Sequence, residues 1–466
     1  MKRSLFFHAP LLFLLLSIAV FTGSQCKSLK CEPDYWKRTK KEYKCPGYKV
    51  VRVLTVKNPD SLKFHQVYAD TITALDTVRY ICNQIIFTPG AAGPNADKMR
   101  QYLACQGFKL ERTCKCTDSF ELWAYEGADD ADVIEIVEDP PKDNIGHGIG
   151  GLSLNYEMPF TDSLERVSVE SEDRIYRSPQ ENQRISIAIT DTGVDLDPNG
   201  QLRQNNYLWN RPMTPCKNRQ ILGRFGLNML AKQFILFPFK KEPEDIDGHG
   251  TFVNGILAGI ANNIPAETEL LNIKVSDGKP FSVFDAVCGL FFGFKQGVRL
   301  FNVSWGYLDT TTTTAVPNIF STLLQEMPED AILVTGMGNN NRSLDHNARF
   351  WPACLAEIDD RVISVGAAKS SGNLASFSNF SSNPQRMTLL ARGVGVVSLA
   401  PRSLQNPPKT GYARGSGTSF ATPFVTRRVA NIMATSPALS PGAIKASIVK
   451  EPNTTLINSV PVLNNQ

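Results

Sequence analysis

From residue 184 onward, short apolar runs alternate with amphipathic stretches, and that alternation leaves the chain few ways to fold. The runs are 185–190 (ISIAIT), 270–275 (LLNIKV), 299–304 (RLFNVS), 331–335 (AILVT) and 362–366 (VISVG). Each is short and apolar on consecutive residues, as a strand is when both of its faces are covered. Helical spacing predicts helices at 250–261, 283–297, 318–326, 419–434 and 441–449. Strands that alternate with helices pair in parallel through crossovers, which gives a doubly wound, mostly parallel α/β domain with helices on both faces. We place it at 184–455, followed by a tail at 456–466. The functional residues of such a sheet are expected at the carboxyl ends of its strands.

The region before it differs. Seven of the ten cysteines (Cys26, Cys31, Cys45, Cys82, Cys105, Cys114, Cys116) precede residue 120, and three (Cys216, Cys288, Cys354) follow it. We read 26–140 as a small α+β domain, with strands at 50–56 and 132–137 and a helix over Thr71–Gln84. Its cysteines can pair among themselves, but six already allow fifteen connectivities. Cys288, within the apolar run Val287–Phe294, reads as a buried thiol. Residues 141–183 are polar and rich in Pro, Gly, Ser and Glu, as a linker is. At the start, Lys2 and Arg3, the apolar run Leu11–Val20 and the small residues Thr22–Ser24 have the layout of a signal for export, so 1–25 is read as a signal peptide. Cys26 resembles a lipid-modified cysteine, although Gln25 stands where a small residue is wanted. No later stretch is apolar for long enough to span a bilayer. A net charge of +4 is too small to suggest nucleic-acid binding.

Four residues stand where the sheet would bring chemistry. Asp191 closes the strand ISIAIT; His249, in D-G-H-G-T, opens a helix; Asn339 follows the strand AILVT; Ser419, in G-S-G-T-S-F-A-T-P, leads into another helix. Singly, these read as turn formers and caps. Together they fall at strand ends and helix starts of one α/β domain, and their order Asp, His, Ser is one of the three known orders of a hydrolytic triad. Of the five histidines, only His249 has such a setting, and no H-E-x-x-H zinc motif is present.

The motifs D-T-G-V-D (Asp191–Asp195), H-G-T-F-V-N-G (His249–Gly255), S-W-G (Ser304–Gly306), G-N (Gly338, Asn339) and G-T-S-F-A-T-P (Gly417–Pro423) resemble those of the subtilisin-like serine proteases, over about residues 184–450. The resemblance implies that Ser419 is the nucleophile, His249 the general base and then acid, and Asp191 the residue that orients the imidazole. Asn339 would complete the oxyanion hole, and Ser304, Trp305 and Gly306 would pair with the backbone of a polypeptide substrate. The family usually has His where this chain has Phe252, and Ala where it has Asn254. F-E-L-W-A-Y-E-G-A-D-D-A-D-V-I-E-I-V-E-D-P (Phe120–Pro140) resembles the end of the family's inhibitory propeptide. Residues 26–140 would then be an intramolecular inhibitor; the alternative is a permanent accessory domain. No cofactor is required for the chemistry. Calcium is the one metal suggested, at Asp195, Asp197, Asn199 and Gly200, but the loop then departs from the calcium pattern, with Asn206 where a Glu is wanted, and reads otherwise as a polar turn. The expectation is a secreted, self-processing serine endopeptidase; its competitor is a catalytically silent binding protein on the same fold.

Overall fold

The computed structural model describes residues 50–54, 63–67, 78–125, 133–138, 140, 150–158, 162–166, 185–195, 207–216, 222–230, 242–259, 268–278, 281–309, 316–346, 348–400, 412–450, 454–457 and 460–463. The signal peptide, Cys26, Asp197, Asn199 and Gly200 lie outside them.

Nine strands form the central sheet: β1 Ile185–Asp191, β2 Gly226–Asn228, β3 Thr268–Lys274, β4 Leu300–Val303, β5 Ile332–Gly336, β6 Val362–Ala368, β7 Leu389–Arg392, β8 Thr454–Ile457 and β9 Val460–Leu463. Their order is β8-β9-β7-β6-β5-β4-β1-β3-β2. Every pairing is parallel except the β8–β9 hairpin. The chain leaves β1 toward β3 and returns on its other side at β4, so the order reverses at β1 and opens a crevice at the carboxyl ends of β1 and β4.

Side chains alternate between two cores, because successive residues of a strand point to opposite faces. Ile187 and Ile189 of β1, Leu270 of β3 and Ile332 and Val334 of β5 pack with α1 (His249–Leu257), α4 (Thr418–Thr435) and α5 (Pro441–Lys450). Ala188, Leu271, Ile273 and Leu333 face α2 (Val283–Lys295) and α3 (Asn318–Glu326). The expected doubly wound architecture is therefore present. It extends further than expected: Thr454–Ile457 and Val460–Leu463, which reach into the expected tail, join the sheet as β8 and β9. Among the described residues no helix is long and apolar enough to cross a membrane.

The N-terminal unit is an antiparallel sheet of Val50–Leu54, Lys63–Val67, Val78–Phe87, Phe108–Thr113 and Glu121–Tyr125, with Leu152–Met158 added beside Val78–Phe87. Ile85, Phe87 and Trp123 pack on the helix Ala96–Cys105 through Met99, Tyr102 and Leu103. Ile86, Leu122 and Phe120 point the other way and join the core under α2 and α3. Several expectations are corrected here. Val133–Glu138 is a helix, not a strand, and Val78–Phe87 is a strand where a helix was read over Thr71–Gln84. Cys288 is no free thiol: it is bonded to Cys114, and Cys216 to Cys116, with Cα–Cα separations of 5.5 and 4.7 Å. Residues 141–183 are not a plain linker, since Leu152–Met158 pairs with Phe281–Ser282, and Ser163–Arg166 with Tyr412–Ser416.

Candidate active site

The sheet delivers Asp191 at the end of β1 and turns sharply after it. Gly193 takes φ +108°, and a Cβ there would collide with the Pro243 carbonyl. Thr192 N–H donates to Asp191 Oδ1 at 2.7 Å, and Thr192 Oγ1 accepts from Gly250 N at 2.8 Å, fastening the turn to the start of α1. Asp245, which sequence reasoning passed over, accepts from Gly248 N (2.8 Å), Thr251 N (2.8 Å) and Thr251 Oγ1 (2.7 Å). A carboxylate satisfying the bare amides of a first helical turn fixes where that helix begins, and so where His249 stands. The buried Lys274 donates to Thr192 O (3.1 Å) and Glu244 O (2.7 Å), closing the same loop.

His249 Nδ1 lies 2.8 Å from Asp191 Oδ1, with both side chains almost wholly buried. Burial pushes the Asp191 carboxyl above its usual range, and His249 opposes that push. For His249, burial works against the charged form, but Asp191 and a second carboxylate, Asp162, outweigh it and hold the imidazole well above its usual pKa. Phe252, where the family usually has His, packs on Phe420 with ring centroids 4.4 Å apart and joins α1 to α4. Asn254 donates to Asn272 Oδ1 at 2.8 Å and accepts from Asn272 Nδ2 at 3.2 Å beneath the helix. Both departures therefore sit in packing beside the site.

Ser419 is the second residue of α4. Pro423 has no N–H to give the Ser419 carbonyl, and Ser304 Oγ donates to it instead at 2.9 Å. Asn302 Nδ2 donates to Ser304 Oγ (2.8 Å) and Thr426 Oγ1 to Asn302 Oδ1 (2.9 Å), so a chain of bonds ties α4 to the end of β4. Asn339 Oδ1 accepts from Thr418 N (2.9 Å) and Thr418 Oγ1 (3.0 Å), which orients its amide nitrogen into the site. Trp305 is buried, and its Nε1 donates to Thr190 Oγ1 at 2.7 Å, which anchors the segment Ser304–Gly306 at the edge of the cleft. Ser304, Gly306, Gly336, Gly338 and Ser419 border a cavity of ≈ 20 Å³, and a Cβ on Gly306 or Gly338 would collide with the Phe350 ring that lies between them.

The site holds one residue no motif announced. Asp162 Oδ2 accepts from Ser419 Oγ at 2.7 Å and lies 3.1 Å from His249 Nε2, while Asp162 Oδ1 accepts from Asn339 Nδ2 at 2.9 Å. One carboxylate thus gathers the hydroxyl, the imidazole and the amide at a single point. Nothing local in the sequence marks Asp162; the signal is its pairing partner, since Ser163 stands opposite Ser416, three residues before Ser419. Among the described residues no group of three or more His, Cys, Asp or Glu could hold a metal ion.

A sequence model of the peptidase S8, or subtilase, family matches residues 182–459. Curated relatives include "Subtilisin-like protease 2" of Plasmodium falciparum (26% identical over 255 residues, 52% of this chain and 17% of that protein). Others are "Intracellular serine protease" of Paenibacillus polymyxa (28%; 53% and 66%) and "Subtilisin DY" of Bacillus licheniformis (29%; 43% and 69%). The chain thus spans about a sixth of the Plasmodium protein and about two thirds of the bacterial ones. A solved cold-adapted subtilisin-like serine proteinase aligns with 63% of this chain and 92% of its own, at 20% identity and TM-score 0.45.

Proposed function

The chain belongs to the subtilase family, and on that premise we propose that it is a serine endopeptidase in which Ser419 is the nucleophile, His249 the general base and Asp191 the group that orients and charges the imidazole. The observation that carries this reading is the convergence of Ser419 Oγ and His249 Nε2 on one oxygen atom, with His249 Nδ1 bonded to Asp191. With that position vacated for substrate, Nε2 takes the Ser419 proton as Oγ attacks the peptide carbonyl, and returns it to the leaving amine. Asn339 Nδ2, oriented by Thr418, would stabilise the oxyanion together with the Ser419 N–H. The backbone of Ser304–Gly306 would take the substrate as an added strand.

We further propose that the protein is exported and made as a self-processing zymogen, its N-terminal unit acting as an intramolecular inhibitor. The apolar run Leu11–Val20 supports export, as do disulfides that need an oxidising compartment. The dock of Ile86, Phe120 and Leu122 on α2 and α3 supports the inhibitor reading. Intact mass of the reduced protein, beside its Ser419→Ala variant after equal incubation, tests the self-processing and the nucleophile. Wild type cut between residues 140 and 185 while the variant stays whole is the expected result. Hydrolysis of an added protein substrate by Ser419→Ala would overturn the assignment.

A further inference from the structure

We infer that Asp162 is a built-in inhibitory carboxylate, which keeps the catalytic groups of the intact chain engaged with one another's blocker until its segment is displaced. The inference rests on the peptidase reading of Ser419 and His249 and deepens it to the regulation of that site.

Each contact of Asp162 removes one catalytic function. The Ser419 hydroxyl gives its hydrogen bond to Asp162 Oδ2 at 2.7 Å, so its proton points at a carboxylate that leads nowhere. The Nε2 edge of His249, which must accept that proton, faces the same oxygen at 3.1 Å. The Asn339 amide, the donor kept for the oxyanion, is spent on Oδ1 at 2.9 Å. A carboxylate also presents no leaving group to a nucleophile. It resembles the acid left after hydrolysis more than a peptide to be cut, so the residue fills the site without being consumed.

The placement is built and not incidental. The Asp162 side chain is only 2% exposed, and Gly417 makes room for it, since a Cβ there would collide with Oδ1. The chain is paired before and after Asp162: Leu152–Met158 with Phe281–Ser282, and Ser163–Arg166 with Tyr412–Ser416. Asp162 directly precedes the second of these strands, and that pairing sets its carboxylate beside Ser419. Burying that charge is tolerable only because three donors meet it. The two carboxylates around His249 hold the imidazole well above its usual pKa, against the effect of burial, which keeps it from serving as a base.

The test uses the full chain. Wild type, Asp162→Ala and the near-isosteric Asp162→Asn are exposed to a fluorophosphonate probe, and labelling of the uncut polypeptide is followed on a reducing gel, with Ser419→Ala as blank. Losing charge-assisted bonds should speed labelling on the order of 10- to 100-fold. In parallel, the His249 imidazole is titrated by NMR in the Ser419→Ala background, with and without Asp162→Asn, and its pKa should fall when the carboxylate is neutralised. Equal labelling of all three chains with an unmoved His249 titration overturns the inference. Absence of labelling in every chain, together with a fall in the His249 pKa, upholds the carboxylate contact and sinks the peptidase reading instead.

Discussion

The imidazole of His249 lies between Asp191 and Asp162, with the Phe420 ring beside it at 5.3 Å, so its proton affinity depends on whether Asp162 is in place. A folded-state pKa raised above the unfolded value of about 6.5 means that folding favours the proton; that gain is complete below about pH 6.5 and is lost as pH rises through the raised value. The closed site should therefore loosen with rising pH, and hydrolysis by the intact chain should climb on the alkaline side. In Asp162→Ala the acidic limb of the kcat/KM profile should move to lower pH, and coincident profiles for the two proteins would refute this. The Phe350 ring, wedged between Gly306 and Gly338, leaves little room beside Ser419 for a substrate side chain. Peptides with Ala or Ser before the cut should be preferred, and Phe350→Ala should raise the Leu-to-Ala ratio of kcat/KM on the order of tenfold or more. A wild-type preference for large residues would count against it. Asp191, His249, Asn339 and Ser419 were legible because each lies inside a local motif. Asp162 was not, because its partners stand 87, 177 and 257 residues away and only the fold brings them together.

The elements that carry the site depend on a few buried polar pairs. Beneath α1, Asn254 donates to the Gly250 carbonyl at 2.7 Å and exchanges bonds with Asn272, both residues being fully buried. Asn254→Leu would leave the Asn272 amide without that partner in the core, at a cost of about 1–3 kcal/mol. The drop should be measurable by urea unfolding, and an unchanged midpoint would show that the pair contributes nothing. The helices and five of the parallel strands of 184–455 could be read because the helices keep a consistent period and those strands are continuous apolar runs; β2 and β7, of three and four residues, were too short to stand out. The sequence DVIEIV was misread on its β-branched content: its apolar residues fall in adjacent pairs about Glu135, and Val133, Ile136 and Val137 share one face of a helical turn. The stretch Val78–Phe87 is rich in β-branched and aromatic residues, and strand pairing decided it. The β8–β9 hairpin was missed because its strands are short and bind the sheet edge far from any motif.

At the scale of the whole molecule, the N-terminal unit is joined to the catalytic domain by more than packing. Arg112 forms two bonds with Asp285 of α2, at 2.7 and 2.9 Å, and Thr117 donates to Glu326 of α3 at 2.7 Å. The Cys114–Cys288 and Cys116–Cys216 bonds cross the interface covalently. The uneven spread of cysteines suggested pairing within the first region; Cys105 is in a disulfide, but Cys114 and Cys116 pair outside that region, because sequence spacing cannot specify partners that only folding makes adjacent. A chain cut anywhere between residues 125 and 185 should run as one species on a non-reducing gel and as two after reduction. Separation without reductant would show that these bonds do not form in the protein. Such a tether also changes what a cut achieves. A severed inhibitor normally escapes by dilution, whereas the N-terminal unit, were it the inhibitor proposed above, would be held by two disulfides at an effective concentration on the order of millimolar however little protein is present. Proteolytic nicking and release from inhibition would then be separate events, the first answering to peptidase activity and the second to the thiol balance of the surroundings.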